Sequence, residues 1–225
     1  MPLSSPIRLP LRLGLGALAR RRGGGAAFDP ATLFASGELG AWFDRQDLST
    51  MLTGNFGSAF VSSPGNQIAI ALSKAQGLAD EADLVGDPGF DDPTYWNNSS
   101  GATSVSGSAA IWAAAASNSR IGSSSIPSLE EFAIYKSLVV VDSVYSGAIR
   151  VSTSTGVQLS PDYTSAGTYI SYFAGPASNP VAWLRAVGTT TASVSSFSIV
   201  PVAGAHGLQA SAGLRPLYQI SPQRA

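Results

Sequence analysis

Cysteine is absent from all 225 residues, so the chain can form neither a disulfide framework nor a thiolate metal site. Its stability must come from packing or from assembly with neighbours. Charge is scarce: Asp, Glu, Lys and Arg make up 12% of the sequence, too little to solvate long helices. No apolar run approaches the roughly 20 residues of a membrane-spanning helix. Gly23-Gly24-Gly25 lacks the Lys-Ser/Thr ending of a phosphate-binding loop. Gly, Ser, Thr and Ala dominate instead, and Val, Ile, Tyr, Phe and Trp recur in short runs between turn residues. That is the composition of strands and turns.

The net charge of −1 conceals an asymmetry. Residues 1–25 carry five arginines and no acid, whereas the remaining 200 carry eight basic and 14 acidic side chains, a balance of −6. Within the arm, Ile7, Leu9, Leu11, Leu13 and Leu15 alternate with Arg8, Pro10, Arg12 and Gly14. Pro10 argues against a helix and against a central strand. A lone strand with one apolar face is not stable in water, so the arm, with Arg20, Arg21 and Arg22 behind it, is expected to add to a neighbour's sheet edge. A signal peptide is the poorer reading, because the apolar run at 13–19 is minimal, holds two glycines and is followed by three arginines. Nucleic-acid contact is poorer still, since those arginines have no interleaved aromatics.

Gly23–Gly25 reads as a hinge, with Asp29 and Pro30 positioned to open a short helical turn. Residues 40–44 read as a short buried strand, 54–66 as turns, 67–73 as a strand and 77–89 as an acidic loop. From about residue 83 the pattern becomes all-β. Candidate strands lie at 109–114, 132–141, 147–153, 168–174, 181–187 and 194–200, and their spacing indicates a β-sandwich or jelly roll. Phe132, Ile134, Leu138, Val140, Ile170, Leu184, Phe197 and Ile199 are expected to face inward, although the opposite faces are also partly apolar.

Several short motifs, in order, resemble a family of phage and prophage virion proteins of the tail, fibre or head-associated type. Leu33 to Asp44 and Asp47 to Met51 look like the family's opening segment, with a departure at Arg45-Gln46, where Pro and Ser are usual. Leu72 to Leu78 continues the likeness. Asp83 to Phe90, with Trp96, resembles the opening segment of a carbohydrate-binding jelly roll, and residues 167–169 and 195–200 resemble its last strands. Ala205 to Ala210 and Arg215 to Leu217 look like the segment that follows. The resemblance spans roughly residues 28–220. Behind the docking arm already read at 1–25, it implies framing segments at 26–79 and 204–225 that meet in space and a jelly roll inserted at 80–203. It also implies a non-enzymatic fibre, spike or decoration protein exposed on the particle surface. Such a protein would contact other virion proteins through residues 1–25, form a homo-oligomer, and present a surface to host carbohydrate.

Little in the sequence points to catalysis. His206 is the only histidine and has no acid near it in sequence, so a bland interface role is the better reading. A particle-borne glycan hydrolase, the poorest alternative, would need facing carboxylates, and the pairs Glu130-Glu131 and Asp91-Asp92 are sequence neighbours that point apart in extended chain. Asp87, Asp91 and Asp92, in an acidic stretch that begins at Asp80, offer oxygen ligands for a structural calcium ion, and a solvated loop is the competing reading. Sugar rings stack on aromatics, which makes Tyr95, Tyr172 and Trp183, with Arg185 as hydrogen-bonder, the candidate glycan contacts. Trp183 is the expected exposed platform, while Trp42, Trp96 and Trp112 are assigned to the core.

Overall fold

A computed structural model describes residues 32–33, 41–44, 46–54, 56–57, 60–75, 80–99, 101–177, 180–204, 206–208, 214 and 216. The fold is all-β, a nearly closed sandwich. In chain order its strands are β1 (Met51–Leu52), β2 (Phe56–Gly57), β3 (Ile70–Ala71), β4 (Asn97–Asn98), β5 (Thr103–Val105) and β6 (Ala110–Ala115). They continue with β7 (Arg120–Gly122), β8 (Ile134–Thr153), β9 (Gly167–Ala174), β10 (Ala182–Pro201) and β11 (Gly207–Leu208). The arm residues Ile7, Leu9, Leu11, Leu13, Leu15, Arg20, Arg21 and Arg22, with Asp29 and Pro30, lie outside the described residues.

The spine is an antiparallel ribbon of β8 and β10, paired from Ala182↔Thr153 to Pro201↔Tyr135. The sequence suggested two strands within each. Each is instead one 20-residue strand, bent where its register shifts. Gly147, at φ +66°, permits the bend: a Cβ there would stand 2.5 Å from Thr190 Oγ1 and 2.7 Å from the Val187 carbonyl oxygen. On the outer edge of β8, β9 pairs with residues 134–141. On the far edge of β10, β7 takes the first half and β6 the second, extended by β4 and β5.

Both halves of the ribbon line one core. Tyr135, Val139 and Val141 come from the first half of β8, and Ile149 and Val151 from the second. Along β10, Leu184, Ala192 and Val194 point inward. The register shift before Ser196 then moves the inward set to Phe197 and Ile199. Leu184, Phe197 and Ile199 are therefore buried as the sequence suggested. On the first half of β8 and on β9 the expected register is corrected: Phe132 is 64% exposed and Ile170 45% exposed. Leu138 and Val140 are half-buried. Tyr135, Val139 and Phe173 take the inner face, with the Tyr135 and Phe173 rings stacked at 5.6 Å. Two apolar faces compete on this strand, and the one carrying the aromatic pair wins the core.

The losing face is not wasted. Ile134 packs with Leu52, Ile70, Leu72 and Val202 in a second cluster, flanked by Tyr172, Ala174 and Leu208. Above it lies a three-stranded sheet, β1–β3–β11, in which residues from before and after the sandwich pair directly through Gly207↔Ala71 and Leu208↔Ile70. Trp96 and Trp112 are buried, as assigned. Trp42 is a correction: residues 41–44 form no strand, and its ring is half-buried with the Lys74 ammonium 5.1 Å from the centroid. Long-range bonds within the chain replace ladder pairing there, from Trp42 N to Ser73 Oγ and from Lys74 N to the Trp42 carbonyl.

Candidate functional site

The four expected glycan contacts do not converge. The Tyr95 hydroxyl accepts a bond from Gly86 N at 2.9 Å, and its ring meets Trp96 edge-on in the 80–96 loop. Tyr172 is half-buried against the second cluster, edge-on to Phe60. Only Trp183 and Arg185 are neighbours, two apart on β10 and pointing to the same outer face. Trp183 is not the free platform expected. A Cβ on Gly122 would lie 2.4 Å from its ring, so the glycine backbone covers one face, and the Arg120 guanidinium sits 4.1 Å from the ring centroid. A far more exposed aromatic is Tyr145, 82% exposed at the bend of β8.

Strand register builds a different site around Arg185. Arg185 is the direct partner of Arg120 on β7 and of Arg150 on β8, so three guanidinium groups lie in one row across three adjacent strands. The neighbouring row is Gly122, Trp183 and Ser152. Arg185 donates through Nε to Ser152 Oγ at 2.9 Å and through Nη2 to the Thr153 carbonyl at 3.0 Å. Arg120 donates through Nη1 to the Ser154 carbonyl at 3.0 Å. Arg150 faces Asp162 with one edge, Nε 2.8 Å from Oδ1 as an ion pair and Nη2 donating to Oδ2 at 3.0 Å, while Nη1 donates to Gln158 Oε1. Among the described residues no carboxylate pairs with Arg120 or Arg185. Burial, and then Arg120 and Arg150 alongside, hold the Arg185 pKa below its ordinary value. The indole N–H of Trp183 is buried and meets no acceptor, which adds another donor to a corner already rich in them.

Beside this row lies a polar cavity of about 240 Å³ lined by Ser117, Asn118, Arg150, Gly156, Arg185, Ala186 and Val187. Arg120 and Arg150 went unnoticed in the sequence, yet each stands alone among small or apolar neighbours on a strand, which marks an outward-facing position. What the sequence does not contain is the register that aligns them with Arg185. A second cavity, about 300 Å³ and mainly apolar, is lined by Phe132, Val157, Leu159, Ala174, Pro176 and Leu208, among others.

The acidic residues are occupied separately. Asp87 accepts from Asp91 N, Asp92 N and Trp96 Nε1. Asp91 accepts from Ser108 Oγ, and Asp92 accepts from the Thr94 amide and hydroxyl. The bonds from Thr94 hold the Asp92 carboxyl below its usual pKa. Among the described residues no three carboxylate or imidazole groups converge as a metal site, so Asp87, Asp91 and Asp92 are not drawn together as a calcium cage. His206 joins the segments before and after the sandwich: Nδ1 accepts from Ser73 N at 3.0 Å, and Nε2, which then carries the proton, donates to the Val202 carbonyl at 2.9 Å. Burial lowers its pKa and the Val202 bond opposes that shift. Both ring nitrogens are thereby committed to backbone. Compared with family models, curated proteins and solved structures, the chain matches none.

Proposed function

We propose that the chain is a structural protein of a phage-like particle, a fibre, spike or decoration, whose sandwich binds host-surface glycans without catalysing a reaction. The observation that carries the binding half is the polar cavity between Arg150 and Arg185, where side-chain donors and acceptors surround a concave space on the outer face of a rigid sheet. Tyr145, exposed at the bend of the ribbon, is a second surface on which a sugar ring could stack. The assembly half rests on the resemblance of residues 28–220 to virion proteins and on the alternating apolar arm. The small sheet that joins residues 70–71 to 207–208 suits a root from which the sandwich projects.

Removal of residues 2–25 tests the assembly half. The truncated chain is expected to be lost from purified particles while its sandwich remains folded; normal incorporation would sink the anchoring role. If the full chain binds glycans yet never co-purifies with particles, it is an adhesin module with no assembly role. Release of reducing sugar from a host polysaccharide would restore the hydrolase reading.

A further inference from the structure

We propose that the cavity lined by Arg150 and Arg185 is an acidic-sugar site, taking the carboxylate or sulfate of a glycan residue on the open Nη1 of Arg185, with the Asp162-paired Arg150 guanidinium alongside. Asn118 and Ser117 are placed to bond the hydroxyls beside it. The inference rests on the glycan-binding reading and narrows it to one class of ligand.

Charge placement carries the argument. Outside the arm the chain has only eight basic residues, and three of them stand in one row across β7, β10 and β8. Like charges directly opposite one another weaken a sheet, so the row costs stability unless something neutralises it. Asp162 offsets one arginine of the three, and no carboxylate lines the cavity. Pinning the 153–154 backbone does not require three cations, since neutral donors would serve. An acceptor-only group with two or three oxygens is the chemical complement of such a corner, and guanidinium groups bind it with matched geometry.

The cavity is built to stay open on the right atom. Ser152 and the Thr153 carbonyl fix Arg185 at Nε and Nη2, while Nη1 has only a 3.5 Å contact to Asn118 Oδ1. Gly156, at φ +100°, lies over that same nitrogen, where a Cβ would come within 3.6 Å. A volume of about 240 Å³ suits one ring or one charged group rather than a chain segment. An extended polyanion would also meet the −6 charge of the surrounding body. A terminal or widely spaced acidic sugar avoids that repulsion.

The test titrates the full chain with sialyllactose and a glucuronic-acid-terminated disaccharide, each against its neutral parent, and with inorganic sulfate and single-stranded DNA. The acidic sugars are expected to bind at least tenfold tighter than their parents and to weaken as salt rises. Arg150→Gln and Arg185→Gln should each lose at least tenfold, and R20Q/R21Q/R22Q should change nothing. Asn118→Asp, at an exposed position, puts a carboxylate in the cavity and should abolish binding even if an arginine variant proves unstable. Equal binding of neutral and acidic sugars overturns the acidic-sugar assignment and leaves the glycan reading standing. Sulfate binding without any sugar binding overturns both. DNA binding lost in Arg185→Gln would reassign the site to nucleic acid.

Discussion

The sandwich and the small sheet at its root are held together by different means. In the sandwich, wholly buried side chains such as Trp112, Phe173, Leu184 and Phe197 form one continuous apolar core. In the root, strands of two residues cover a far smaller cluster, and polar staples make up the difference. Ser73 N bonds His206, Trp42 N bonds Ser73 Oγ, and Lys74 reaches both Asp44 and Asp47. The sandwich should therefore be robust to pH and cooperative, and the root should open locally and respond to protonation.

The largest effect is expected in the core. Phe197→Ala should cost about 3–5 kcal/mol in denaturant unfolding, and a loss below about 1 kcal/mol would show that the ribbon is not the cooperative unit. On the sandwich's outer face, Gly122→Ala drives a methyl group into the Trp183 ring. The cost should be about 1–3 kcal/mol, with a shifted Trp183 indole resonance, and an unmoved indole would show that Arg120 and Gly122 do not clamp the ring.

In the root, His206→Ala leaves the buried Ser73 amide without its acceptor, for about 1–2 kcal/mol. Amide exchange is expected to speed up around residues 70–73 and not in β8. The wild-type staple is also pH-dependent. Burial lowers the folded-state pKa below the ordinary 6.5, so its contribution is complete above that pH. As pH falls through 6.5 the unfolded chain takes up the proton first, and stability drains until the folded-state pKa is passed. Protection of the Ser73 amide should fall between pH 7.5 and 5, and a flat profile would remove His206 from that role. The smallest effect belongs to Lys74→Met. It breaks two partly exposed ion pairs and should cost less than about 1 kcal/mol, detectable in root exchange but not in global unfolding.

The all-β class and most of the strand positions were legible in the sequence, because alternation and turn residues are local signals. Inward positions were legible on β10, where only one face is strongly apolar, and misread on β8 and β9, where two faces compete. Local sequence does not say which face meets the larger core. The same limit explains the site. Trp183 and Arg185 stand out as an aromatic beside a cation, but the glycine that closes over the ring comes from β7. The arginines on either side come from strands more than thirty residues away in sequence. Convergence of that kind is a property of register, and register depends on bulges that the sequence marks only by Gly147 and the small residues near 188–196.

One consequence of the topology concerns time. Strand β10 is the shared partner of β6, β7 and β8, yet it is made after all of them. While the ribosome works from residue 115 to residue 201, at about 5–20 residues per second, the inner edges of those three strands wait several seconds without their mate. Unpaired edges invite pairing with other nascent chains. Production of this protein should consequently depend on whatever shelters those edges during synthesis, and a pause introduced before codon 182 should lower soluble yield without altering the finished molecule.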